Sequence, residues 1–256
     1  GCVRALVDAG AMVDKVDENG RTALMVASDA NSHECVRALV DAGAVVDKVD
    51  EHGRTALMYA CMHNNHDCVR ALTGAGASVE KVEEHRCTAL IVACASGHHE
   101  CARALIDAGA AVDKVNSSGM TALMYACKAG HRVCARALIN AGAAVDKVDN
   151  KGLTVLMHAC IFGHLECAQA LIDAGAAVDK ADNDGTSALL YACVLGQHEC
   201  ARALIDAGAV VDKVDDGGRT ALIGACHFGD VVCARALIDA GAAGDKGENN
   251  GHTALL

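Results

Sequence analysis

The sequence predicts an all-α solenoid of stacked helix-turn-helix units joined by short hairpin-like loops. Three observations predict it. The dipeptide Asp-Lys recurs at Asp14, Asp47, Asp113, Asp146, Asp179, Asp212 and Asp245, with Glu80-Lys81 in the remaining slot, so every step is 33 residues without an insertion. A period between about 20 and 50 residues means stacked units, each unable to bury its apolar face alone. The apolar residues are also small. Of 256 residues 52 % are hydrophobic but only 2 % aromatic, which suits a long thin core rather than one thick globule. Finally, whole stretches return nearly unchanged: HECARALIDAGAAVDKV at 99–115 comes back at 198–214 with one substitution.

The unit at 113–145 justifies each element in turn. Asn116, Ser117, Ser118 and Gly119 make a turn, with glycine supplying the permissive backbone. Thr121 caps a helix over 122–129, because its hydroxyl accepts an otherwise orphaned N–H. Leu123, Ala126 and Cys127 fall at i, i+3 and i+4 and form that helix's buried stripe. Gly130 breaks the chain, and a second helix runs over 132–141 with Cys134, Ala137, Leu138 and Ala141 on one face. Gly142 stands where a left-handed helix stop belongs, and the extended pair Ala144-Val145 leads into the next turn. Laid along the chain, this phase gives a single domain, 1–256. It has a partial unit at 1–13, full units at 14–46, 47–79, 80–112, 113–145, 146–178, 179–211 and 212–244, and a partial unit at 245–256.

Residues 119–127, GMTALMYAC, resemble the ankyrin repeat motif G-x-T-P-L-H-x-A-A. Gly130-His131 matches that family's G-H, Leu138-Ile139 its L-L, and Ala141-Gly142-Ala143 its x-G-A. The resemblance covers the whole chain. There are departures. The chain has no proline, and the family's Pro slot holds Ala23, Ala56, Ala89, Ala122, Val155, Ala188, Ala221 and Ala254. Proline is favoured at a first helical position, but alanine has the best helix propensity, so the helix is expected to survive. The His slot is Met, Ile or Leu throughout, and apolar contact is expected to replace the family's histidine hydrogen bonds. Arg86 takes a turn glycine's place and Ser187 a capping threonine's, so the Arg86 hairpin is expected to be strained.

Charge and cysteine usage bound the function. With 22 Lys+Arg against 33 Asp+Glu, the formal net charge is −11, and without a basic cluster the chain is not expected to bind nucleic acid. No apolar run is long enough to insert in a membrane. Twelve of the fifteen cysteines form pairs seven apart, such as Cys61/Cys68 and Cys193/Cys200. That is two helical turns, a packing position filled by a small soft hydrophobe. Free buried thiols persist in a reducing compartment, so a cytoplasmic location is expected. Cys61, His63, His66 and Cys68 have zinc-ligand spacing, but the two cysteines fall on core positions and His63 on the opposite face, so packing rather than metal is expected. A regular array spreads like groups into rows instead of converging unlike ones, and no enzyme, cofactor or metal is expected. The exposed charges Glu100, Arg103 and Asp107 fit a solvated outer face.

If sameness encodes the scaffold, difference is where function is sought. On the first helix, the slots of Tyr125, Lys128 and Ala129 lie opposite the buried stripe and vary most, together with the turn slot that includes Met120 and Leu153. All five large rings, Tyr59, Tyr125, Tyr191, Phe162 and Phe228, sit in these slots. The ankyrin resemblance implies that this surface, a concave groove of first helices and hairpin tips, grips a protein partner. The expected partner-binding residues are Met120, Tyr125, Leu153, His158, Ile161, Phe162, Tyr191, Val194, Leu195, His227 and Phe228, because apolar patches with aromatics favour recognition. The alternative is that the rings fold down between adjacent first helices as extra packing. The expected product is a monomeric, non-catalytic scaffold whose partner protein the sequence does not name. Gly1 begins just before a second helix and Leu256 stops inside a first one, without the polar capping units solenoids usually need. A fragment of a longer chain is therefore expected. That makes the array alternatively a targeting or regulatory arm of a larger enzyme or channel. A thiol or metal role for the cysteine ladder is the third reading.

Overall fold

Each unit folds from its caps inward. Thr22, Thr55, Thr88, Thr121, Thr154 and Thr220 have extended backbones, and each hydroxyl accepts the N–H three residues on. Ser187 does the same for Leu190 N at 3.3 Å, so the serine replacement is a working cap. The methionines in the family's histidine slot add a contact that apolar packing alone does not anticipate. The thioethers of Met25, Met124 and Met157 accept the backbone N–H of Thr22, Thr121 and Thr154 at 3.3–3.4 Å. The cap is thus reciprocal, with sulfur as a weak acceptor.

A computed structural model describes residues 2–247, 249, 251, 253 and 254 of the chain. Leu256, where a further first helix is expected, lies outside them. Among the described residues the helices are α1 (Cys2–Asp8), α2 (Ala23–Asp29), α3 (His33–Asp41), α4 (Ala56–Met62), α5 (His66–Gly74), α6 (Ala89–Ala95), α7 (His99–Asp107), α8 (Ala122–Lys128), α9 (Arg132–Asn140), α10 (Val155–Ile161), α11 (Leu165–Asp173), α12 (Ala188–Val194), α13 (His198–Asp206), α14 (Ala221–His227) and α15 (Val231–Asp239). From α2 on, short first helices of seven residues alternate with second helices of nine. The first helices start at the alanines and the valine that stand in the proline slot. Isolated helices this short are marginal in water, so their stability must come from stacking.

The stacking is double. First helices pack on first helices and second on second, and the first-helix row is the more extensively packed. Leu105, Leu138, Leu171 and Leu204 are fully buried at one position of successive second helices, each contributing roughly 1.5–3 kcal/mol. The second-helix stripe is rotated from the one the sequence suggests. Ala135 is buried while Ala137 is half-buried and Ala141 exposed, because α9 packs on α7 and α11 as well as on α8.

Polar staples fix the phase. The Asp113 carboxylate accepts the N–H of Ala144 at 3.0 Å, and Lys147 reaches back to the Asp113 carbonyl at 2.8 Å. The same pair of contacts recurs from Asp14, Asp146 and Asp212, and Glu80 reproduces it with Lys114. Asp-Lys therefore repeats because each copy ties its own loop to the next.

The inter-helix turns add a second staple. Ring nitrogens of His98, His131 and His164 lie 2.8, 3.2 and 3.1 Å from the carbonyls of Cys61, Ala95 and Lys128 in the preceding unit. Asn65 does the same toward Ser28 and Asp29. Histidine hydrogen bonds between units are present after all, supplied from a different slot, which corrects the expectation that apolar contact replaces them. The expected strain at Arg86 is visible too: its φ is +63, in the left-handed region that disfavours a side chain.

Candidate functional site

The hairpin turn organises the first-helix face. Asp50, Asp149, Asp182 and Asp215 each turn one carboxylate oxygen onto two backbone N–H groups of their own loop at 2.8–3.0 Å. Asn116 does the same with its amide oxygen. The second polar atom needs another partner. Tyr59 donates its hydroxyl to Asp50 at 2.7 Å and Tyr191 to Asp182 at 2.6 Å; the Asn116 amide donates to the Tyr125 hydroxyl at 2.9 Å. His158 Nε2 lies 3.1 Å from Asp149 Oδ2. Where this slot holds Val26 or Gly224, an arginine from the turn takes over: Arg21 on Asp17 and Arg219 on Asp215.

This changes the reading of several expected binding residues. His158 is only 4 % exposed and Met120 is buried, so neither offers surface to a partner. His158 is held inward by Asp149, and Met120 packs against the core. Tyr125 and Tyr191 are half-buried, with hydroxyls turned to their own hairpins, and Leu153 is half-buried against the core. Tyr59 is buried as well. Burial, above all, and the Asp50 hydrogen bond push the Tyr59 phenol up to about 12. The tyrosines are thus largely packing and hairpin locks, as the alternative reading of the rings proposed.

The phenylalanines behave otherwise. Phe162, Leu195 and Phe228 are the C-caps of α10, α12 and α14, one per unit at steps of 33 residues, and they are 47 %, 46 % and 62 % exposed. Ile161 and Val194 sit half-buried beside them, and His227 is exposed. The His227 and Phe228 rings meet edge to face at 5.0 Å. Lys128 Nζ stands 5.6 Å from the centre of the Phe162 ring, a cation–π contact that sequence reasoning did not include. The spacing of 34 residues, one unit plus one, was the available signal.

The other end of the same face is polar. Asn19, Arg21, Asp29, His52, Arg54, Tyr59 and His63 line a hollow of about 360 Å³, in which His63 Nε2 lies 2.9 Å from Asp29. His63 is therefore engaged away from Cys61 and Cys68, which are fully buried, and the four zinc-spaced residues do not converge. Thiols pair across units instead. Hydrogen-bonded to Cys101, Cys134, Cys167 and Cys200 in the following second helices, and then by burial, the thiols of Cys61, Cys94, Cys127 and Cys160 are held well above the usual range. All four are fully buried and serve as small packing groups of the core.

Comparison with known proteins adds to this geometry. A sequence model described as ankyrin repeats matches the chain in three copies, at residues 1–83, 75–149 and 134–215. Among solved structures, the ankyrin repeat domain of human ASB11 is similar at 26 % identity and a TM-score of 0.79, with 87 % of this chain and 99 % of that one covered. The ankyrin repeat domain of Bcl-3, described as a unique member of the IkappaB protein family, is similar at 29 % identity and a TM-score of 0.75, with the same coverage. No curated protein sequence matches the chain. Among the described residues no helix is long and apolar enough to cross a membrane.

Proposed function

The chain belongs to the ankyrin repeat family, a common protein–protein interaction module, and on that premise we propose a non-catalytic scaffold that grips one partner protein across its first-helix face. Affinity is concentrated where Ile161, Phe162, Val194, Leu195, His227 and Phe228 form an apolar band over three successive units. The observation that carries this reading is the exposure of Phe162, Leu195 and Phe228 in a chain whose other rings turn inward. Exposed aromatic and aliphatic side chains gathered on one face are costly to leave in water and favour burial against a partner. Tyr125 and Tyr191 border the band as rigid supports, while His158 and Met120 act only beneath it. Lys128 on Phe162 gives the band a cationic edge suited to a partner with an acid beside its apolar anchor.

The test is the double variant Phe162→Asp with Phe228→Asp. Because both side chains are exposed, circular dichroism should match the wild type while partner capture from the source cell is lost. Retained capture would refute the band, and lost helicity would show that the rings are core.

A further inference from the structure

On the second-helix side, three potential metal ligands from two units meet. His198 is the first residue of α13, Asp230 is the N-cap of α15, and Cys233 lies in the first turn of α15. Asp230 uses one carboxylate oxygen as a cap, Oδ1 accepting the N–H groups of Val232 and Cys233 at 3.1 Å each. Its other oxygen, Oδ2, is buried in a side chain only 7 % exposed and receives no well-directed hydrogen bond. His198 Nδ1 lies 3.1 Å from that oxygen and 3.4 Å from Cys233 Sγ. One imidazole N–H does not serve both atoms. The three ligand atoms are mutually within 4.8 Å, and the half-exposed imidazole borders a groove of about 610 Å³ between α11, α13 and α15, so an ion has a way in.

The geometry points to a zinc-class divalent cation held by His198 Nδ1, Asp230 Oδ2 and Cys233 Sγ, with a fourth position open to water. For metal–ligand bonds of about 2.0–2.3 Å at tetrahedral angles, the N···O edge is about 3.4 Å and the N···S edge about 3.6 Å. The observed separations fall short of these by only a few tenths of an ångström, so side-chain adjustment makes room for the ion. Charge also balances. A carboxylate and a thiolate neutralise the dication, the imidazole binds neutral, and the Cys233 thiol releases its proton to solvent as the sulfur–metal bond forms. The Cys233 thiol is held well above its usual range, by its hydrogen bond to Cys193 first and then by burial, so the dication itself has to drive off that proton, as a coordinating metal does. The mixed N, O and S set suits zinc over magnesium or calcium, which take oxygen ligands.

Among the described residues only this junction assembles the set. The Asp230 position is Ser32, Asn65, His98, His131, His164 and Gln197 in earlier units, and three of those histidines are committed to the preceding carbonyls. Asp230 has no N–H to donate there, which leaves Oδ2 facing His198.

The full chain, stripped with chelator and kept reduced with a phosphine, is titrated with Co²⁺ as a spectroscopic stand-in. The site predicts one cobalt per chain with sulfur-to-cobalt charge transfer and tetrahedral d–d intensity, bleached stoichiometrically by Zn²⁺. His198→Ala, at a half-exposed position, should weaken binding by at least about tenfold. Asp230→Asn, which keeps the capping oxygen, should weaken it likewise, and a melt checks that both variants fold. Cys226→Ser, removing an exposed thiol outside the cluster, should change nothing. A wild type without a saturable thiolate–cobalt band, bands of equal affinity in the His198 and Asp230 variants, or loss of the band in the Cys226 variant would each overturn the assignment.

Discussion

Replacing His158 tests whether the inward ring slot locks the hairpin. Asp149 is nearly sealed, with 7 % of its side chain exposed, and His158 Nε2 sits 3.1 Å from its Oδ2. In His158→Leu the two loop N–H contacts to Oδ1 survive, but Oδ2 loses its partner. An orphaned buried oxygen costs about 1–3 kcal/mol; the leucine returns part of that as apolar burial, leaving a net loss of about 1–2 kcal/mol. In a chain of this size that lowers Tm by about 2–4 °C per kcal/mol. His158→Tyr should behave differently. Tyr59 and Tyr191 show that a phenol in this slot reaches the hairpin carboxylate at 2.7 and 2.6 Å. The tyrosine also removes the buried His158 Nδ1, which has no partner.

The two variants separate further with pH. Burial, above all, pushes the His158 pKa down, helped by the Lys128 charge and opposed by Asp149. The folded protein therefore holds this proton less tightly than the unfolded chain, whose imidazole titrates near about 6.5. The contribution to stability is complete above about pH 6.5 and falls as the pH drops below it, until the folded imidazole itself charges. His198 has the opposite sign. The Cys233 hydrogen bond and the Asp230 charge raise its pKa, so its contribution is present below about pH 6.5 and is lost as the pH rises through the raised value. Substituting His158 leaves that slope untouched, so the difference between wild type and His158→Tyr isolates the buried ring. Urea unfolding followed by circular dichroism from pH 5 to 8 is the assay. A leucine variant as stable as wild type, or a tyrosine variant with the wild-type acid slope, would refute the lock.

Further outcomes follow from other positions. Arg86→Gly should stabilise by about 0.5–1 kcal/mol in the same unfolding assay, because a side chain at φ +63 is strained and glycine is not; a loss of stability would contradict this. Gly224→Val restores the residue found at Val26 and Val92, yet a Cβ there would meet Val194 Cγ2 at 2.6 Å. It should cost about 1–3 kcal/mol from overpacking, and an unchanged melt would show that α12 yields. Asp146→Ala removes the acceptor of Ala177 N at 2.9 Å and should cost about 1 kcal/mol; a neutral result would mean the Asp-Lys staple is not what holds the loops in phase.

The fold was legible because local signals agreed with the period. The threonine caps, the glycine after each second helix and the 33-residue Asp-Lys rhythm all specify one unit, and alanine in the proline slot kept the helices intact. The binding face was legible only in part, because variability has two causes that look alike in a sequence. Phe162, Leu195 and Phe228 vary at positions facing outward. Tyr125, His158 and Tyr191 vary because each unit satisfies its own hairpin Asn or Asp in its own way. The distinguishing signal was present in the spacing of nine residues: Asp50 to Tyr59, Asn116 to Tyr125, Asp149 to His158 and Asp182 to Tyr191. The inter-unit histidine contacts were hidden for another reason, since the slot that supplies them differs from the one the family motif names. Thiol pairing was masked by heptad spacing within a unit, whereas the sulfurs meet 40 residues apart, as Cys94 does with Cys134.

The proposed partner face is tested most directly by position-specific cross-linking. A photoreactive phenylalanine analogue replaces Phe228 on the first-helix face, or Arg136, which is exposed on the second-helix face, and each protein is irradiated in extract of the source cell. A discrete adduct from position 228 and none from 136 is the predicted result. An adduct from 136 alone, or equal adducts from both, would contradict the account.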